Sequence, residues 1–156
     1  MTRLWDKGAP LDDRVLRFTA GEDHALDNRL VAYDVRPSIA HAEMLYEGGL
    51  LAQAELDAIR NGLTEIAAAH ARGEWSVTLD LEDGQTALET LLTRRIGTVG
   101  ARLHTGRSRN DQVLTALRLY LRDAVESLAE GGRHVAEALD GLAADQGSIA
   151  LPGYTH

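Results

Sequence analysis

The sequence predicts an all-α fold: a small helical N-terminal domain (residues 1–107) followed by a long helix that opens a second domain (residues 108–156). Three observations predict it. Apolar residues make up 44% of the chain and are mostly Ala, Leu and Val, with Phe18 the only Phe. Such side chains suit close helix packing better than an aromatic-filled sheet. Apolar positions recur three and four apart in stretch after stretch, the period of an amphipathic helix. Only EWSVTLDL (Glu74 to Leu81) alternates like a strand, and it is short enough to read as extended linker.

Residues 1–21 carry Gly8, Pro10 and Gly21 with no sustained period and read as an arm. From Asp23, a suitable N-cap, Leu26, Leu30 and Tyr33 fall at helical spacing. Pro37 suits a first turn better than a helix interior. A second helix is therefore expected from Arg36 or Pro37, carrying Ile39, Ala40, Met44 and Leu45 to a stop at Gly48-Gly49. A third spans about Ala52 to Arg72, with Leu56, Ile59, Leu63, Ile66 and Ala67 on one face. Asp83 then caps a helix over about residues 84–97, which carries Ala87, Leu88, Leu91, Leu92 and Ile96.

The last helix is expected from about Ser108 to Gln146. Its seam is Leu114, Leu117, Leu121, Ala124, Leu128, Gly131, Val135, Ala138 and Leu142, alternating steps of 3 and 4 as in a heptad repeat. At 1.5 Å per residue this helix extends roughly 55 Å, so its seam needs partner helices, and self-association is expected. Gly131, Gly132 and Gly141 each lower helix propensity by about 1 kcal/mol against Ala. They read as small seam residues that admit a close neighbour; a break at Gly131-Gly132 is the alternative. After Gly147 the chain reads SIALPGYTH. A Pro-Gly turn normally leads into a further element, so an N-terminal piece of a longer protein is expected.

A chain of 156 residues suits one domain, or one plus part of another. The net charge of −8 argues against general nucleic-acid or membrane-surface binding. Absence of Cys excludes disulfides and thiolate metal sites. His24, His41, His70 and His134 show no metal-ligand spacing, so neither a metal nor a cofactor is expected. The N-terminus has no apolar signal-peptide core, and no apolar run approaches the roughly 18–20 residues of a membrane span. A soluble, cytoplasmic protein is the default expectation.

Within this acidic chain, Arg94 to Asn110 contains no acid and holds Arg94, Arg95, Arg102, Arg107 and Arg109. Gly106 allows a tight turn, and Ser108 is a natural N-cap with Asp111 three residues on. Free N–H groups, the helix dipole, Arg107, Arg109 and the Asn110 amide together suit a carboxylate or phosphate. Spacing alone favours the plainer reading, a cap whose arginines pair with acids elsewhere. His156 beside Thr155 suits a general acid/base, although a lone His is more often simply exposed. Helix-dipole complementarity accounts for Asp80, Glu82 and Asp83, and substrate contact is the sharper alternative.

HTGRSRNDQ (His104 to Gln112), LRLYLRD (Leu117 to Asp123) and LPGYTH (Leu151 to His156) together resemble signatures of the argininosuccinate lyase family, in the fumarase/aspartase superfamily. LWDKG, YDVRPSIAHAEML (Tyr33 to Leu45) and LEDGQTALE (Leu81 to Glu89) are similar to further family segments, so the resemblance covers nearly the whole chain. It implies an all-α homotetramer in which the long helix is the first of a central helical bundle. It implies reversible elimination of arginine from argininosuccinate, a small dicarboxylate substrate, leaving fumarate. By the same resemblance Ser108, Arg109 and Asn110 contact substrate, Thr155 binds a carboxylate and His156 is the catalytic histidine.

Three departures accompany the likeness. The family's Asn-x-Ser near the N-terminus is replaced within FTAGEDHALD (Phe18 to Asp27), so Gly21, Glu22 and Asp23 receive no binding role. Gln85 stands where histidine is common; an amide donates a hydrogen bond but does not titrate. The family's Gly-Ser-Ser-x-Met-Pro loop, which carries the base, does not occur in these residues, and no activity is expected from them alone. Two rival readings are another fumarate-forming lyase and a crystallin-like structural protein on the same scaffold.

Overall fold

A computed structural model describes residues 12–155 of the chain. Among these residues every regular element is helical. Two units are distinguished, one through Leu119 and one from Tyr120.

The first unit begins with α1, Asp13–Ala20, where the sequence had suggested only an arm. The Asp12 carboxylate caps it by accepting from the Arg14 N–H at 2.8 Å, and Leu16 and Ala20 are buried on one face. Eight residues are too few to establish a period, and that is why the pattern was not legible. Gly21, at φ 50°, ends the helix in a backbone region that disfavours side chains.

Helix α2, Asp23–Asp27, starts one residue earlier than expected, with Glu22 rather than Asp23 at the N-cap. The chain then breaks at Asn28–Leu30 and not at Pro37. Asn28 causes this, because its amide donates to the His24 carbonyl at 2.8 Å and to the Val77 carbonyl at 3.1 Å. Helix α3, Val31–Glu47, carries Pro37 inside it. Proline there removes one backbone donor, but Val31, Val35, Ala42 and Leu45 are buried on both sides of it and hold the helix continuous. Gly48 closes α3, its N–H bonded to the Met44 carbonyl.

Helix α4, Gln53–Ala71, lies within a residue of expectation at either end. Glu55 accepts from the Ala52 N–H at 2.8 Å, satisfying one free donor of the first turn. The linker that follows is irregular apart from a 3₁₀ turn, Leu79–Leu81. Helix α5, Gly84–Ile96, has Asp83 as its N-cap, accepting from the Thr86 N–H at 2.6 Å, as expected. A short α6, Thr98–Ala101, and a 3₁₀ turn, Arg102–His104, then lead into the arginine loop.

Helices α3, α4 and α5 build the core, with Leu56, Ile59, Leu63, Ile66, Ala87, Leu88 and Leu92 buried together. Burying each large side chain contributes about 1.5–3 kcal/mol. Val77 and Leu103 join the same cluster and so tie the linker and the 3₁₀ turn to it.

Helix α7, Arg109–Gln146, runs 38 residues without a break at Gly131-Gly132. From Tyr120 onward its seam is open: Leu121 is 49% exposed, Leu128 76% and Val135 60%. Among the described residues no helix is long and apolar enough to cross a membrane.

Candidate functional site

The arginine stretch divides into two uses. Arg95 pairs with Glu65, and Arg102 pairs with Glu55 and the Leu50 carbonyl, so both fasten onto α4 and the turn before it. This part obeys the plainer expectation of ion pairs with distant acids. Arg107 and Arg109 reach elsewhere, toward α3 and the start of α5.

Ser108 caps α7. Its Oγ accepts from the Asp111 N–H at 3.3 Å and donates to the Asp111 carboxylate at 3.0 Å. That carboxylate also accepts from the Ser108 N–H at 3.3 Å. The reciprocal pattern is that of a capping box. Gly106, at φ 68°, makes the turn that delivers the chain to this cap.

Arg109, in the first turn of α7, spans the N-terminus of α5. Its Nη1 lies 3.4 Å from Asp83 Oδ1, and its Nη2 donates to Thr86 Oγ1 at 3.1 Å. Glu89 Oε2 lies 3.9 Å from the same nitrogen. Asn110 is exposed beside it, as is Ser108. The starts of α5 and α7 are thus brought together, at the positive ends of two helix dipoles, with side chains already capping the Gly84, Thr86 and Asp111 N–H groups.

Behind them lies a buried polar layer. Asp34 of α3 is 4% exposed, and Gln85 of α5 is 6% exposed. The Gln85 Nε2 donates to Asp34 Oδ1 at 2.6 Å. Ser38, one turn along α3, accepts from Arg107 Nη1 at 3.2 Å. Asp27 accepts from the Gly84 N–H at 2.8 Å, and a Cβ at Gly84 would stand 3.1 Å from Asp34 Oδ2. Burial raises the Asp34 carboxyl to about 7; the Gln85 amide and Arg107 oppose the rise, while Asp27 and Asp83 add to it. Burial likewise raises Asp27, against the pull of the Gly84 N–H. Arginines and acids therefore alternate around the start of α7, an arrangement able to meet both signs of charge on one small molecule.

Of the residues singled out from sequence, Ser108, Arg109 and Asn110 stand together on the first turn of α7. Thr155 is exposed in the second unit, and His156 lies outside the described residues. Sequence reasoning gave Gln85 no partner and passed over Asp27, Asp34 and Ser38. One signal was present: Asp34 and Ser38, four apart, fall on the same helical face as buried Val31, Ala42 and Leu45, where polar side chains require partners.

Comparison with known proteins adds the family context. Residues 12–156 match a family model described as Lyase. The chain is 49% identical over 154 residues to a protein named argininosuccinate lyase from Sorangium cellulosum, covering 99% of this chain and 36% of that one. A protein of the same name from Thermotoga neapolitana is 39% identical, with 99% and 39% covered. One from Pseudomonas aeruginosa is 46% identical over 147 residues, with 94% and 31% covered. The chain thus spans about a third of the length of these curated relatives.

Proposed function

Because the chain belongs to the lyase family whose model it matches, we propose that the whole protein is an argininosuccinate lyase, which eliminates L-arginine reversibly from argininosuccinate to give fumarate. The observation that carries this reading is the first turn of α7, where Ser108, Arg109 and Asn110 sit at the positive end of a 38-residue helix. The names of the relatives support it.

The chemistry requires such a site. A base removes a weakly acidic C–H next to a carboxylate, the C–N bond breaks with its electron pair going to nitrogen, and an acid protonates that nitrogen so that arginine departs as its guanidinium. Charge accumulates on the carboxylate as the proton departs, and fixed N–H donors with an arginine stabilise it as it develops. Ser108, Arg109 and Asn110 are assigned to substrate contact, with Arg109 oriented by Asp83 and Thr86. Thr155 is assigned to carboxylate binding and His156 to catalysis. The open seam of α7 supports a homotetramer built on a shared helical bundle, and the absence of Cys supports a cytoplasmic setting.

The test is fumarate absorbance from the whole protein supplied in turn with argininosuccinate, aspartate, malate and adenylosuccinate. Fumarate from argininosuccinate alone is the expected result. Release from one of the others in its place would overturn the substrate assignment.

A further inference from the structure

We infer that Thr86 is the positioning residue through which α5 acts on Arg109: its neutral hydroxyl makes the closest bond to the guanidinium and leaves the positive charge available to an anion. What Arg109 meets rests on the proposed activity; how Arg109 is held does not.

Threonine hydroxyls inside helices commonly turn back to the carbonyl four residues earlier. Thr19, Thr64 and Thr115 do so, at 3.0, 2.8 and 2.7 Å. Thr86 is the third residue of α5, Gly84–Ile96, so the residue four earlier, Glu82, precedes the helix. Glu82 has a left-handed φ of 65° and stands outside the helical register. The Thr86 hydroxyl turns toward α7 instead and accepts from Arg109 Nη2 at 3.1 Å. Its own place is secured by hydrogen bonds on the same turn. The Thr86 N–H donates to Asp83 Oδ1 at 2.6 Å, and the Gly84 N–H donates to Asp27 Oδ2 at 2.8 Å.

The two acids beside the guanidinium stand farther off. Asp83 Oδ1 is already committed to the Thr86 N–H, and its 3.4 Å separation from Arg109 Nη1 is long for a hydrogen bond. Glu89 Oε2, 3.9 Å from Nη2, is beyond hydrogen-bond reach. Of these three oxygens the neutral one is nearest. A close carboxylate would bind the guanidinium more strongly, but it would also offset the charge that stabilises an anion. A hydroxyl oxygen fixes the direction of Nη2 and brings no charge of its own. The Arg109 side chain stays 32% exposed, which leaves it an open edge.

Two measurements on the whole protein test this. The first is modification of Arg109 by phenylglyoxal, mapped by mass spectrometry and taken relative to the exposed Arg94. Thr86→Val keeps the side chain's shape and removes the hydroxyl, so modification should speed up about threefold for the loss of one hydrogen bond. Thr86→Asp puts a carboxylate in its place, and modification should slow. The second is steady-state release of fumarate from argininosuccinate. Here both variants should lower kcat/KM, about tenfold for Thr86→Val, one by loosening Arg109 and the other by offsetting its charge. Thr86→Ser should recover most of the loss. In an Arg109→Ala background, Thr86→Val should change kcat/KM less than about twofold, because the residue it acts through is gone.

Unchanged modification in Thr86→Val, wild-type rates in Thr86→Asp, or a tenfold loss that persists in Arg109→Ala overturns the inference. Should Thr86→Val fail to fold, Thr86→Asp and Thr86→Ser decide. A wild type that releases no fumarate would overturn the proposed activity while leaving the modification rates to judge Thr86.

Discussion

Arg109 and Asp83 join the first turns of two helices: the guanidinium of α7 lies 3.4 Å from the carboxylate that caps α5. Both side chains are partly solvent-exposed, so the pair contributes at most about 1 kcal/mol to stability. Its value lies in aiming the guanidinium. In the whole protein Arg109→Ala should lower turnover of argininosuccinate by roughly 100-fold or more, with little change in melting temperature. Arg109→Lys should recover only a small part, since an ammonium cannot span Asp83 and Thr86 together. Near-wild-type steady-state rates in either variant would remove Arg109 from the site.

His156→Ala should also lower fumarate release by orders of magnitude, roughly 100-fold or more for loss of an acid/base group. Stopped assays at saturating argininosuccinate would show it as a loss in kcat. A variant changed only in KM would make His156 a binding residue.

Asp34 gives a pH prediction with a definite sign. Its folded-state pKa of about 7 lies above the ordinary 3.8. Between these values the folded chain holds a proton that the unfolded chain releases, so stability falls as pH rises and levels off above neutrality. Asp34→Asn removes that loss. It should be more stable than the wild type at pH 8, by no more than about 4 kcal/mol, and nearly equal at pH 4. Urea unfolding at the two pH values measures the difference, and an unchanged gap between them would refute it.

Asn28 holds both backbone groups of Val77, donating to its carbonyl and accepting from its N–H at 2.8 Å, and also accepts from His70 Nε2 at 3.1 Å. Asn28→Ala should destabilise by about 2–3 kcal/mol, because the buried Val77 groups lose their partners. Denaturant titration would show it. A loss under about 0.5 kcal/mol would mean that water replaces the amide without penalty.

Two glycines at helix contacts should differ. A Cβ at Gly62 would meet the end of the Leu92 side chain at 2.6 Å, whereas one at Gly100 would meet the Thr93 backbone N at 2.7 Å. A side chain can rotate and a helix backbone cannot, so Gly100→Ala should destabilise more than Gly62→Ala, with overpacking penalties of about 1–3 kcal/mol. Thermal melts of the two variants would rank them.

What the sequence revealed and what it concealed follow from the range of the interactions. The Ser108 and Asp83 caps use partners three residues away, and local spacing found both. Helix α7 was legible through Gly131-Gly132 because its seven-residue pattern outlasts a local lapse in propensity. Pro37 misled because the residues that hold α3 continuous act through packing against α4 and α5. Asn28 and Val77 are 49 apart in sequence, and Gln85 and Asp34 are 51 apart; no local pattern announces such pairs. The first turn of α7 stood out as a candidate site through its motif, whereas the polar layer behind it emerged only when three elements were placed side by side.

The regularity of α7 has a geometric consequence. Leu114, Leu121, Leu128, Val135 and Leu142 are spaced by sevens, while a straight α-helix drifts about 20° for each seven residues. Over the stretch they span, the apolar line winds roughly 80° around the rod. A straight neighbour would touch it at one end and leave it at the other. Any partner that covers this line along its full length must therefore coil about α7 in a left-handed sense.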